Sequence, residues 1–198
     1  MVFNVLLTGV GGEGVMLTSV VVARAADIEG YQVRGIQLHG LAQRGGQIPT
    51  HVRFGKNVFS PTIPRGEADL ILGMEPVEAA RACYFADKKR AAFVIDTYPV
   101  IPVYTQILKE RYPSTDEVKK IITPFAKKSI FVDASNICTE QYGDPIYGNV
   151  MVVGVAIGAG LLPLKQSSVE QSLKVSVPKL DINMKALRDG LAFGRKFR

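Results

Sequence analysis

From Leu6 to Gly14 the chain reads Leu-Leu-Thr-Gly-Val-Gly-Gly-Glu-Gly, where an apolar run begun at Val2 breaks into glycines just before an apolar helical stretch. That order of events restricts the fold sharply. A near-continuous apolar strand wants cover on both faces, which is the condition of a parallel strand in an α/β protein. Gly9, Gly11 and Gly14 have the spacing G-x-G-x-x-G. Such glycines turn the chain tightly, let a ligand or a neighbouring chain approach the backbone, and pack the helix close to the sheet. The start of that helix offers free N–H groups and partial positive charge to an anion. Two uses of the turn, which comprises Gly9, Gly11, Gly12 and Gly14, are therefore open: a grip on phosphate, and a strand-to-helix turn with no ligand.

Beyond the turn, Val15 to Ile28 reads as a helix closed by Gly30, and Tyr31 to Leu38 as a second strand. Strand, turn, helix and strand make a right-handed βαβ unit. Ile48 to Phe54 reads as another strand, and Gly55-Lys56-Asn57 as a turn returning the chain through Val58-Phe59-Ser60 in a hairpin. Ala68 to Met74 and Ala91 to Asp96 are apolar strands, separated by a helix opened by Glu75-Pro76 and running over about Val77 to Phe85. Tyr98 to Pro102 is extended and cannot join a central ladder. Ser114 and Glu117 have capping-box spacing. Ile130 to Asp133 gives a short strand and Ala134 to Gln141 a short helix, broken at Gly143-Asp144-Pro145. Tyr147 to Gly160 is read as a buried helix, despite its valines, with small-residue packing at Gly154, Gly158 and Gly160. Ser167 or Ser168 is expected to cap a helix to about Lys174, and Asn183 a last one to about Gly194. The expectation is a doubly wound, mostly parallel sheet with helices on both faces, in one domain over residues 1–198.

Composition excludes several classes. At 198 residues and 47% hydrophobic content the chain can bury one sizeable core. Its net charge of +6 suits an anionic partner, but no basic helix with interleaved aromatics points to nucleic acid. Cys83 and Cys138 are the only cysteines, with no C-x-x-C; no iron–sulfur or zinc site is expected from this chain alone. The start lacks a charged, apolar leader, and Val150 to Leu162 is too short to span a bilayer. A cytoplasmic protein without membrane contact is expected.

A dinucleotide site would need an Asp or Glu at the end of the second strand. Gln37, Leu38 and His39 stand there instead. The segment His39-Gly40-Leu41-Ala42-Gln43-Arg44-Gly45-Gly46 is a polar, glycine-flanked loop at the carboxyl end of a strand, where open α/β sheets bind ligands. His39, Gln43 and Arg44 could meet a carboxylate or phosphate, with Gly45 and Gly46 leaving backbone N–H groups accessible and Gly40 in the same candidate loop. The alternative is a loop tied to its neighbours or to another subunit.

Four ordered segments carry a family resemblance: Thr8 to Gly14; His39 to Gly46 followed by His51 to Gly55; Ser60 to Asp69; and Glu75-Pro76 with Glu78-Ala79. They resemble, in order, the gamma subunit or domain of 2-oxoacid:ferredoxin oxidoreductases. The tail, through Asn149, Gly158, Pro163, Asn183, Ala186 and Gly190, continues the likeness. Length and stand-alone form are most similar to the beta subunits of indolepyruvate:ferredoxin oxidoreductases.

The resemblance implies a Rossmann-like subunit that carries no cofactor and no catalytic residue of its own. A large alpha subunit would hold thiamine diphosphate, Mg and iron–sulfur clusters. The complex would decarboxylate a 2-oxoacid, an aryl pyruvate such as indolepyruvate, to an acyl-CoA and CO2, with coenzyme A as co-substrate and ferredoxin as electron acceptor. Gly143-Asp144-Pro145 is not a thiamine diphosphate motif. Glu13 stands where the family usually has Gln, and its carboxylate would repel a phosphate at the glycine turn, which leaves the His39 to Gly46 loop as the better candidate. The rival expectations are a purely structural assembly subunit and an independent nucleotide-binding oxidoreductase.

Overall fold

The computed structural model describes residues 1–38, 46–102, 105, 107 and 109–198. Strands β1 (Val2–Thr8), β2 (Gln32–Gln37), β3 (Thr50–Gly55), β4 (Leu70–Gly73), β5 (Ala92–Asp96) and β6 (Lys128–Val132) form one sheet in the order β2-β3-β1-β4-β5-β6. From β1 to β6 the neighbours are parallel, and β3 alone runs against the rest.

Alternation along the strands divides the core in two. Val5, Leu7, Leu70, Leu72, Val94 and Ile130 face a layer made of α1 (Val15–Ile28), α4 (Ala134–Tyr142), α5 (Gly148–Gly158), α6 (Gln166–Ser176) and α7 (Leu180–Gly194). Leu6, Ile71, Phe93 and Ile95 face the opposite layer, with α2 (Pro76–Arg81) and α3 (Thr115–Ile122). Each such side chain contributes about 1.5–3 kcal/mol by leaving water, so a one-residue slip of any central strand would invert both layers. The expected α/β sheet with helices on both faces is what forms.

On the thicker face α5 and α7 approach until backbones touch. A methyl group at Gly154 would strike the Leu187 carbonyl, at Gly158 that of Leu191, at Gly190 that of Met151 and at Gly194 that of Val155. This contact explains why the valines of α5 sit in a helix: between sheet and α7 it is buried on every side, so packing overrides their strand propensity. The capping box at Ser114 also forms as expected.

Four details differ from the sequence reading. The βαβ unit lacks adjacency, since β3 inserts antiparallel between β1 and β2. That insertion removes the expected hairpin: both edges of β3 are taken, so Val58 to Ser60 forms no strand. The Val58 N–H instead meets Gln32 Oε1 at 3.2 Å, and Arg53 donates to the carbonyls of Ser60 and Thr62. Gly160 packs against nothing and serves the turn after α5 at φ 71°. The last two helices are capped differently. Neither Ser167 nor Ser168 caps α6, which starts at Gln166 beside a Lys165 N–H bound by the Glu29 carboxylate at 2.6 Å. Asn183 lies inside α7, its Nδ2 donating back to the carbonyls of Pro178 and Lys179. Among the described residues no helix is long and apolar enough to cross a membrane.

Candidate functional site at the carboxyl edge

After β1 the chain moves to one side of the sheet, toward β2 and β3; with β4 it returns to the other side. The carboxyl ends of β1 and β4 therefore flank the switch point where open α/β sheets hold ligands. Three segments converge there.

The first is the glycine turn, which proves to be largely committed. A Cβ at Gly9 would meet Val15 at 2.7 Å, and one at Gly14 would meet Asn149 Nδ2 at 3.0 Å. Asn149 Nδ2 also donates to the Glu13 carbonyl. The Gly11 N–H donates to the Gly46 carbonyl at 2.8 Å and the Glu13 N–H to the Val10 carbonyl at 3.2 Å. Two donors that a phosphate would want are thus spent within the chain, and Gly12, at φ 99°, is the member with open space around it.

The second segment is the candidate loop. His39, Gly40, Gln43, Arg44 and Gly45 lie outside the described residues. Its two ends are described, and both come to this edge. Leu38 N–H donates to the Pro49 carbonyl at 3.0 Å, Ile48 N–H to Gly9 at 3.0 Å, and Val10 bridges Gln47. Gly46 is therefore fastened to the glycine turn, and the sequence-predicted loop springs from beside it.

The third is an acidic crevice, whose Glu75 and Glu78 the sequence offered as a helix start and as part of a family-like segment but not as a site. Glu75 caps α2, its Oε2 accepting the Glu78 N–H at 2.8 Å while Tyr112 donates its hydroxyl to Oε1. Burial pushes the Glu75 carboxyl up to about 7; the nearby Glu78 charge adds to this, and backbone N–H bonds oppose it. Glu78 is buried too, with its carboxyl raised by burial against the opposing pull of Arg81, whose Nη1 lies 2.7 Å from Oε1. Its Oε2 is buried without a hydrogen-bond partner among the described residues. Between these side chains and Val10, Arg81, Arg111 and Tyr112 opens a cavity of about 190 Å³. A clue was available: two glutamates at i and i+3 around a proline at a strand's carboxyl end put both carboxylates in the first turn, over the switch point.

Neighbouring polar groups are structural. Asp96, fully buried at the end of β5, accepts the N–H groups of Ala134 and Ser135 and the Ser135 hydroxyl, and burial raises it to about 6. A further cavity of about 210 Å³ beside the start of α1 is mainly apolar, lined by Leu17, Val21, Val150 and Val177. Burial pushes the thiols of Cys83 and Cys138 up to about 11 and about 12, and the two lie in opposite layers of the core. Among the described residues no group of three His, Cys, Asp or Glu side chains could hold a metal ion.

Residues 4–193 match the family described as pyruvate ferredoxin/flavodoxin oxidoreductase. The indolepyruvate oxidoreductase subunit IorB of Thermococcus kodakarensis is 34% identical over 96% of this chain and 94% of its own length. That of Archaeoglobus fulgidus is 36% identical over 94% and 92%. The gamma subunit of a keto/oxoacid ferredoxin oxidoreductase from Geobacter sulfurreducens has the same fold, with TM-score 0.68 and 19% identity, covering 98% of this chain and 99% of that one. In the 2-oxoglutarate:ferredoxin oxidoreductase of Magnetococcus marinus, solved with 2-oxoglutarate, coenzyme A and succinyl-CoA, the fold recurs at TM-score 0.72 and 15% identity, over 98% of this chain and 31% of that one.

Proposed function

From the premise that the chain belongs to the pyruvate ferredoxin/flavodoxin oxidoreductase family, we propose that it is the gamma-type, non-cofactor subunit of a 2-oxoacid:ferredoxin oxidoreductase. It acts as a single domain over residues 1–198, on an aryl pyruvate such as indolepyruvate. The names of its relatives support the substrate class. Its larger partner carries thiamine diphosphate, Mg and the iron–sulfur clusters, which supply the carbon chemistry and the electron path to ferredoxin. This chain supplies shape and hydrogen-bond donors. The carboxyl edge completes the cavity over the partner's thiamine diphosphate and keeps water from the reacting centre. Arg44, with His39 and Gln43, meets the carboxylate of the 2-oxoacid or the phosphates of coenzyme A, the co-substrate that leaves as acyl-CoA.

One observation carries the reading: the glycine turn, both ends of the 39–45 loop and the Glu75–Glu78 crevice meet at the switch point of the sheet. The committed donors of the glycine turn favour a second reading, a purely structural subunit. Replacing Arg44 with alanine in the assembled complex separates the two. The site reading expects full assembly with turnover reduced at least about tenfold, the scale of losing one charge-assisted contact. The structural reading expects activity to fall only in step with assembly. Turnover by the purified chain without the larger subunit would overturn both.

A further inference from the structure

Glu78 is 5% exposed, yet its Oε2 has no partner among the described residues. Arg81 reaches it from a side chain that is 58% exposed and engages only Oε1. A buried acceptor left unpaired is costly, and an ionised one more so. Beneath it Glu75, 2% exposed, adds a second carboxyl that is already bound by Tyr112 and by the Glu78 N–H.

The surroundings do not neutralise the pair. The cavity walls carry Glu75, Glu78 and Glu110 against Arg81 and Arg111. Arg111 is itself gripped by Glu117, at 2.7 and 2.6 Å. In a chain of net charge +6, this crevice is acidic.

Chemistry narrows the occupant. A phosphate or carboxylate would be repelled by Glu75 and Glu78. For a divalent cation, no group of three His, Cys, Asp or Glu side chains here is placed to hold one among the described residues, and one oxygen of Glu75 and one of Glu78 are already bound by Tyr112 and Arg81. The best fit is a monocation carrying N–H donors on a slender stem, and about 190 Å³ is the scale of one long side chain rather than of a coenzyme. A cation there would also favour the ionised form that burial disfavours.

We propose that the crevice is a socket for one basic side chain, lysine or arginine, projected by the larger partner subunit, with Glu78 Oε2 as its acceptor. The proposal rests on the proposed function, in which the partner covers this edge. It adds the chemistry of the contact.

The test uses the two purified subunits at pH 8, where Glu75 is ionised. Glu78→Gln keeps the shape and the acceptor for Arg81 but removes the charge. Affinity for the larger subunit should fall about 30-fold or more, as when one partner of a buried charge pair is lost, with Tm unchanged or higher. Affinity within threefold of the wild type overturns the proposal. If the variant does not fold, the structure of the wild-type complex decides. A lysine or arginine of the larger subunit within hydrogen-bond distance of Glu78 supports the socket; any other content of the crevice overturns it. A covered carboxyl edge with no basic side chain in the crevice defeats the socket and leaves the functional reading standing. An edge left in solvent defeats both.

Discussion

The α5–α7 seam and the carboxyl edge are both built by close approach of main chain, but they are finished in opposite ways. At the seam, Gly154, Gly158, Gly190 and Gly194 let two helices touch along their backbones. The surrounding valines and leucines are buried. At the edge, main chain also crowds, as Gly11 meets Gly46, but next to it stand two buried carboxylates, one with an oxygen that bonds to nothing described. A seam optimised for contact serves stability. An edge that keeps unfavourable groups in place gives up stability, the trade-off expected of a functional site.

Substitutions should break this contrast in a graded way. The largest loss belongs to the seam. Gly190→Ala drives a methyl into the Met151 carbonyl, with backbone of Gly154 also too near to yield. Overpacking of that kind costs about 3 kcal/mol, which lowers Tm by about 6–12 °C in a chain of this size. Calorimetry checks it, and a loss below about 1 kcal/mol would show that the helices slide apart at little cost.

The next effect is a pH dependence at the edge. Glu75 sits near 7 when folded against 4.5 ordinarily, so the native state holds its proton longer than the unfolded chain does. That contribution is fully present below pH 4.5 and is lost as pH rises through 7. Asp96, raised from 3.8 to about 6, acts in the same direction over a lower window. Stability should therefore fall by about 3 kcal/mol from the Glu75 group between pH 4.5 and 8. Denaturant titrations of the wild type and of Glu75→Gln at the two pH values measure the difference, which the variant should flatten.

Smaller still is the gain at Glu78. Exchanging it for methionine removes an unpaired buried oxygen and gives up an ion pair whose Arg81 arm is mostly in water. A gain of about 1 kcal/mol is expected for the isolated chain, the reverse of the seam result; a loss of that size would mean that the carboxylate is structural. About 1 kcal/mol should also be lost in Ser114→Ala, which removes the capping box that starts α3. The two need not add, since Arg111 of the crevice wall is held by Glu117 of the cap and links the two sites.

Local signals account for what could be read in advance. The apolar runs of β1, β4 and β5, the proline at the start of α2 and the Ser114–Glu117 spacing each act within a few residues, and each forms as expected. The hairpin after β3 failed because Gly55-Lys56-Asn57 is sound turn chemistry overruled at long range by β1 and β2 occupying both edges of β3. Asn183 failed as a cap because Pro178 and Lys179, the latter at φ 51°, start the helix earlier and turn the amide into a donor. Of the site, the convergence of residues 9–14 with Gly46 was half legible, through the rule that ligands gather at strand carboxyl ends. The crevice was not, because the burial of Glu75 and Glu78 depends on Tyr112 and the segment near Val100, distant in sequence and silent in pattern.

Hydrogen exchange on the chain, alone and bound to its larger subunit, puts the account to its most direct test. Peptides covering residues 9–14, 38–48 and 75–81 should gain protection on binding, while those of the α5–α7 seam, slow already, should not change. Protection confined to other surfaces, with those three segments exchanging as fast in the complex as in the free chain, would contradict the claim that this edge closes a companion's active site.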